Sequence, residues 1–268
     1  DIGGSTTKIA GFQESGQHIG TLRVEASDRL TSLYGAIGNF LSTRAISLND
    51  VACCVITGVG AALVNGDIYG IHTERIDEFV AIGKGGLALS GKEEALVVSL
   101  GTGTAFVRAG GLGCVHIGGS GVGGGTLAGL SFHVFHENDP SAMERLAKKG
   151  DLSKVDLMIS DICTNEVGAL PSHITASNFG KITSGTEKED IALGLLNMVF
   201  QTIGMLSVFA LRNDTVKDVV LTGSLANMAS QVMRVVEEIS DVKFFIPENA
   251  TFATAIGAAL PFVRNARI

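Results

Sequence analysis

Apolar and polar positions alternate from Thr6 to Gln13, the chain turns at Glu14-Ser15-Gly16, and alternation resumes from His18 to Glu25. Period-two patterning on both sides of a glycine turn predicts a β-hairpin. Leu30, Leu33, Tyr34, Ile37, Phe40 and Leu41 follow helical spacing behind Ser27 and Asp28, which predicts a capped amphipathic helix. Val51–Thr57 is a β-rich run ending at Gly58-Val59-Gly60, and a mixed polar stretch leads on to Thr73. Glu78–Leu89 has helical spacing in spite of three glycines, and Ala95–Leu100 predicts a buried strand. Ala105–Arg108 and Cys114–Ile117 bracket Gly110-Gly111 as a second hairpin. The run Gly118–Gly125 opens a helix through Phe135, and several helical segments follow. Val219–Leu221 predicts a strand running into Thr222-Gly223-Ser224 and a helix. Phe244–Ile246 predicts another strand, and Phe252–Phe262 a closing helix.

The order is hairpin-rich β structure, then helices, and then the same again. Asp1–Thr6 and Leu100–Thr104 are alike, each a glycine and hydroxyl turn between two β runs, which reads as a coarse internal duplication. A lobe boundary is expected near Glu93–Ala95, dividing the chain into residues 1–94 and 95–268.

Composition narrows the classes. Lys plus Arg is 20 and Asp plus Glu is 27, a net charge of −7, which argues against a nucleic-acid binder and against a polybasic membrane anchor. Hydrophobic residues make up 46% and charged residues 18%, enough to bury a core. Glycine is in excess, with 35 in 268 residues against roughly 7% in an average protein. Cys53, Cys54, Cys114 and Cys163 form no CxxC pair, so reduced thiols and a cytoplasmic protein are expected. No signal peptide is visible, and because the sequence starts at Asp1 without a Met, a preceding segment is expected. Ile191–Leu211 is uncharged and long enough to cross a membrane. Gly194, Asn197, Gln201 and Gly204 recur along one face of it, which suits a closely packed buried helix or a dimer seam better.

The candidate chemistry lies in the glycine turns. In Asp1-Ile2-Gly3-Gly4-Ser5-Thr6, glycines let backbone N–H groups approach a phosphate, Asp1 can hold Mg²⁺ through water, and Lys8 adds a point charge. Leu100-Gly101-Thr102-Gly103-Thr104 offers the same chemistry, so two turns facing across a cleft would grip a triphosphate from both sides. Gly223 and Ser224, where a strand stops before a helix, can accept an adenosine, and Ala253–Leu260 is a small-residue helix suited to close packing between lobes. The P-loop pattern is absent. The GxGxxG at Gly119–Gly124 follows a hairpin strand without βαβ context, so a dinucleotide site is not expected. His133, His136 and Glu137 lack a nearby fourth ligand and read as a helix surface.

This order of elements resembles the actin/hexokinase/Hsp70 superfold: α/β, two-lobed, a duplicated ribonuclease H-like unit with an ATP site between the lobes. A closer resemblance is to type II pantothenate kinases. DIGGSTTK at Asp1–Lys8, IDEFVAIGKGGLAL at Ile76–Leu89, VVSLGTGT at Val97–Thr104 and GGSGVGGGTLAGL at Gly118–Leu130 carry it, with ASNFG at Ala176–Gly180 and ENATFATAIGAAL at Glu248–Leu260. The resemblance implies ATP-dependent phosphorylation of the terminal hydroxyl of pantothenate, the first step towards coenzyme A, by a cytosolic homodimer built on long helices such as Ile191–Leu211. It implies Glu78 as general base, although Asp77 and Glu74 are neighbours that sequence alone does not exclude. It implies ATP contacts at Gly3, Gly4, Ser5, Thr6, Lys8, Thr102, Gly103, Gly121, Gly123, Gly124, Gly125, Gly223 and Ser224. The N–H groups of Gly121–Gly125, at a helix N-terminus, are expected to face the nucleotide phosphates. Substrate contacts are implied at Ser99, Gly101, Thr102, His116 and Gly119, and a water-mediated Mg²⁺ contact at Asp1.

Two positions depart from the family pattern. Ser5 stands for a usual Thr and keeps the hydroxyl, whereas His116 stands where an Arg is expected to hold the substrate carboxylate. Alternatively His116 points into the hairpin and Arg108 meets the carboxylate. Three rival readings follow: a same-fold kinase acting on pantetheine, one acting on an amino sugar, or a non-catalytic ATPase module that activates a partner enzyme. No Cys motif for the iron–sulfur cluster of such activators is present.

Overall fold

The computed structural model describes residues 1–137, 139–163, 170–264 and 266. Strands β1 (Thr6–Phe12) and β2 (His18–Glu25) form the first hairpin, followed by α1 (Arg29–Thr43), β3 (Cys54–Ile56), β4 (Thr73–Arg75) and α2 (Glu78–Ser90). Next come β5 (Ala95–Leu100), β6 (Thr104–Gly110), β7 (Gly113–Ser120), α3 (Gly124–Phe135) and α4 (Pro140–Ala147). The rest is β8 (Leu157–Met158), α5 (Ile159–Ile162), β9 (Thr175–Ser177), α6 (Lys188–Ala210), β10 (Asp218–Thr222), α7 (Ser230–Glu238), β11 (Lys243–Phe245) and α8 (Ala253–Ala259).

Both expected hairpins form, and Asp28 caps α1 by accepting from the Thr31 N–H at 2.7 Å. The expected strand at 51–57 is confined to three residues, and the glycine run becomes helical only from Gly124. The closing helix is α-helical over Ala253–Ala259, with 3₁₀ turns at both ends. Strands β4, β8 and β9, of two or three residues each, were not expected.

The main sheet runs β11-β10-β5-β6-β7, with β10 parallel to both its neighbours and β5, β6 and β7 antiparallel. Side chains of a strand alternate between faces. Leu96, Val98 and Leu100 of β5 therefore join a core with α3, α4, α6 and α7, while Ala95 and Val97 face Ile82 of α2 on the other side. Covered on both faces, β5 needs no polar alternation, which is why it reads as an unbroken apolar run.

Helix α6 is a core helix, and its polar stripe is used in packing. Gly194 lies against Val155 and Phe179, and Gly204 against Val236 and Met233. Asn197 donates to the Asp156 carboxylate at 2.8 Å. Asp156 is fully buried and also accepts from Thr175 Oγ1, Asn178 Nδ2 and the Phe179 N–H at 2.9–3.2 Å. These four bonds satisfy a carboxylate that would otherwise be costly to bury, and Gln201 extends the network by accepting from Asn178 at 3.1 Å.

The closest element contact is the crossing of α2 and α8. A Cβ on Gly85 would lie 1.9 Å from the Ala253 carbonyl oxygen, and one on Gly257 would lie 1.9 Å from that of Ala81. Backbone meets backbone here, and no larger residue fits. Substituting Ala at Gly85 or Gly257 is expected to destabilise the protein by about 1–3 kcal/mol. Gly35→Ala, in α1 with open space around it, should instead stabilise by up to about 1 kcal/mol. Urea denaturation midpoints measure both effects, and equal shifts for the two classes would show that the crossing is not tight.

Candidate functional site

The first glycine turn is built by register. Lys8 N–H donates to the Asp1 carbonyl and the Asp1 nitrogen donates to the Lys8 carbonyl, both at 2.9 Å, so these residues sit opposite each other. Gly3, Gly4 and Ser5 fill the turn between them, closed by Gly3 N–H to the Thr6 carbonyl at 3.0 Å. On its other side the Asp1–Ile2 segment is held by the Ile2 N–H, which donates to Thr57. Gly58, at φ +90°, then passes so close that a Cβ would lie 2.7 Å from Asp1 Oδ1. The sequence marks Gly58 only as a strand end; its role beneath Asp1 follows from three segments meeting.

The second turn comes to the first. Ser5 Oγ and Thr102 Oγ1 are 3.3 Å apart, and a Cβ on Gly4 would touch Thr102. The glycine run closes the far side of the second turn, with Gly124 N–H bonded to Gly101 O at 2.9 Å and Gly125 N–H to Thr102 O at 2.8 Å. Gly123 N–H is taken by Thr126 Oγ1. This corrects the expectation that these helix-terminal N–H groups are free: with Val122 N–H bonded to Ser120 Oγ at 3.0 Å, four of the five from Gly121 to Gly125 are satisfied within the protein, and the run buttresses the second turn. Thr104, buried beneath, donates to Val122 O at 2.8 Å. Gly223, at φ +90°, packs on Leu100 and donates to the Ala250 carbonyl at 2.8 Å, bringing Ser224 beside the same turn. Neither this donor nor the Gly101 N–H, bonded to Gly103 O, is free.

Three acids precede or open α2, and their partners separate them. Glu74 pairs with His72 at 2.9 Å, and Asp77 caps the helix by accepting from the N–H groups of Phe79 and Val80. No hydrogen bond among the described residues uses the Glu78 carboxylate. Glu78 is half-buried; burial and the neighbouring Asp77 charge raise its pKa against the opposing pull of Lys8. Lys8 is buried with its Nζ 3.4 Å from Asp1 Oδ2. Burial first, and then Arg23 across the hairpin, lower its pKa to about 8, with Glu78 pulling the other way. A half-buried carboxylate beside a buried ammonium is suited to accept a proton next to a held anion.

His116 stacks on Phe79, ring centroids 3.9 Å apart and planes 12° from parallel. It therefore stands at the same corner as Glu78, exposed to solvent, with Gly119 beside its ring. It pairs with Val107, so Arg108, one position on, projects from the opposite face of the sheet. There Arg108 is held by Asp214 at 2.8 Å and Glu94 at 2.6 Å. The alternative in which Arg108 replaces His116 is thus removed. Ser99 shares the α2-facing side of β5 with Val97, while His133 and His136 end α3, His136 in the left-handed conformation.

The Fumble family model matches residues 93–255. The chain belongs to the Fumble family. Among curated relatives, a type II pantothenate kinase of Oceanobacillus iheyensis is 29% identical over 97% of this chain and 97% of its own. One from Staphylococcus haemolyticus is 25% identical over 96% and 97%. Two solved structures share the fold of this Fumble member at lower identity. The activator of 2-hydroxyisocaproyl-CoA dehydratase from Clostridium difficile has a TM-score of 0.71 at 16% identity, covering 97% of this chain and 91% of that one. A ROK hexokinase from Thermus thermophilus has a TM-score of 0.54 at 12% identity, covering 95% and 98%. The actin/hexokinase-like fold expected from the element order is thereby shown.

Because Lys8 loses its proton near pH 8, the turn should bind a non-titrating oxyanion more weakly as pH rises from about 7 to 9. Lys8→Arg keeps its charge and should flatten this dependence. Calorimetric titration with sulfate measures it, and parallel curves for the two proteins would place the titration elsewhere.

Proposed function

We propose that the protein transfers the γ-phosphoryl group of ATP to the terminal hydroxyl of pantothenate, giving 4′-phosphopantothenate, the first step of coenzyme A synthesis. What carries this reading is the matching of type II pantothenate kinases over 97% of the chain together with a free, half-buried Glu78 beside Lys8 and two apposed phosphate-type turns. In the proposed reaction the acceptor oxygen bonds to the γ-phosphorus as the bond to the β–γ bridging oxygen breaks, leaving ADP. The acceptor proton passes to the Glu78 carboxylate. Gly3, Gly4, Ser5, Thr6 and Lys8 would hold the phosphates from one side, with Thr102 and Gly103 on the other and the run Gly121–Gly125 behind them. Gly223 and Ser224 would border the adenosine; Ser99, Gly101, Thr102, His116 and Gly119 would border the acceptor.

Magnesium fits a site with one carboxylate, because that ion commonly takes one or two protein carboxylates plus substrate phosphates and waters. Asp1, backed by Gly58 and beside the first turn, would hold it through water, and the ion would neutralise phosphate charge. We read residues 1–94 as one lobe and 95–268 as the other, with the nucleotide between them. The α2–α8 crossing supports this as the joint. A homodimer through α6 is supported by the exposed Leu206 and Phe209 on that helix, and a cytoplasmic location by four free cysteines.

Coupled ADP release should be fastest with pantothenate or pantetheine and negligible with N-acetylglucosamine; the reverse order would assign the site to an amino-sugar kinase. ATP hydrolysis indifferent to all three would favour an activator module. Glu78→Gln should lower kcat by about 10²–10⁴ while leaving ATP affinity near that of the parent. A variant retaining most of its kcat would take the proton elsewhere.

His116→Arg should raise kcat/KM for pantothenate relative to pantetheine, since a guanidinium adds a charged, two-pronged donor for a carboxylate that pantetheine lacks. An unchanged ratio would remove His116 from the acceptor site.

A further inference from the structure

Asp1, Lys8 and Arg23 form one row across three adjacent strand segments. Asp1 and Lys8 exchange both backbone hydrogen bonds, and Lys8 lies opposite Arg23 in the antiparallel register of β1 and β2. Directly paired residues project to the same face of a sheet. The row therefore presents one carboxylate and two cations on one face of the hairpin, and Lys8, in the middle of the row, is the side chain whose charge is felt at Glu78. Lys8 is buried and matched by Asp1, whereas Arg23 is exposed and has no ion-pair partner among the described residues. Like charges directly opposite in an antiparallel pair are destabilising. A buried Lys beside an unmatched Arg is thus a local cost that an anion held between them would remove. Departures of this kind concentrate at functional sites.

We propose that Arg23 is a second cation for the transferring phosphoryl group, reaching it from the acceptor side while Lys8 holds it from the turn. Asp1 ties Lys8 down at one end of the row. Arg23 stands free at the other and can follow the group as it moves from the nucleotide towards the hydroxyl next to Glu78. Its planar fork can take two phosphoryl oxygens at once. As charge spreads over those oxygens in the transition state, a fixed cation there lowers the barrier. The role rests on the kinase reading above, and it concerns the phosphoryl group rather than the acceptor's carboxylate.

Arg23→Gln should lower kcat by about 10²-fold with pantothenate and pantetheine alike. KM for either acceptor should stay within about threefold, and Arg23→Lys should recover part of the loss. Relieved of its like-charged neighbour, the Gln variant should melt at the same temperature as the parent or higher, so a fall in kcat is separable from misfolding. In a second arm without acceptor, binding of inorganic phosphate in the presence of MgADP should weaken by about tenfold in the Gln variant. Full kcat retained in Arg23→Gln would overturn the proposal. So would a loss confined to KM for pantothenate and absent with pantetheine, since that marks a carboxylate holder. Should the parent phosphorylate no alcohol while the phosphate arm still responds to Arg23, the kinase reading fails and the anion role of Arg23 stands.

Discussion

The site depends on two helices touching through their backbones. Gly85 and Gly257 let α2 and α8 approach until only hydrogen atoms fit between them. That contact fixes the axis of α2, and Glu78 is the first residue of α2. The same helix presents Phe79 to His116 on β7 and Ile82 to the core beneath β5. A close helix crossing tolerates little sliding, because interiors packed at crystal density transmit displacement rather than absorb it. The direction in which the candidate base points is therefore decided by residues one to two helical turns away from it.

Around this joint the charges are arranged by depth. Lys8 is buried but keeps a carboxylate partner in Asp1; Glu78 is half-buried and keeps no hydrogen-bond partner among the described residues. Burial works against both charged forms, raising the carboxylate's pKa and lowering the ammonium's, while their mutual attraction opposes each shift. The balance leaves a carboxylate with no direct hydrogen bond among the described residues near a cation that is tied to Asp1 rather than to it. Arg108 shows the opposite arrangement: two carboxylates clamp it on the far face of the sheet, where its charge is spent on structure.

The glycine run shows how one motif can serve a different part of the site from the one its pattern suggests. A helix N-terminus in isolation offers free N–H groups to an anion. Here the carbonyls of Gly101 and Thr102 have taken those of Gly124 and Gly125, so the run shapes the second turn from behind. Glycine is needed because a Cβ on Gly123 would lie 2.9 Å from the backbone of Gly103.

Much of this was legible in the residues alone. The two hairpins, the buried strand at Ala95–Leu100, the capped first helix and the pair of glycine-hydroxyl turns follow from period, caps and turn chemistry, which are local properties. The small-residue helix at Ala253–Leu260 announced close packing by composition. Other features were beyond local pattern. Strands of two or three residues, such as β8 and β9, carry too few positions to show a period. Glu74, Asp77 and Glu78 are alike as a string of acids and become distinct only when His72 claims the first and two helix N–H groups claim the second. His116 and Arg108 stand one position out of step on paired strands, and only the register, Val107 opposite His116 and Arg108 opposite Val115, puts them on opposite faces. The sequence by itself determined which local shapes the chain adopts and which chemistry its turns can offer. The tertiary structure decided which groups remain unsatisfied and face one another, because hydrogen bonds and ion pairs between distant segments consume donors and acceptors that the sequence alone leaves open.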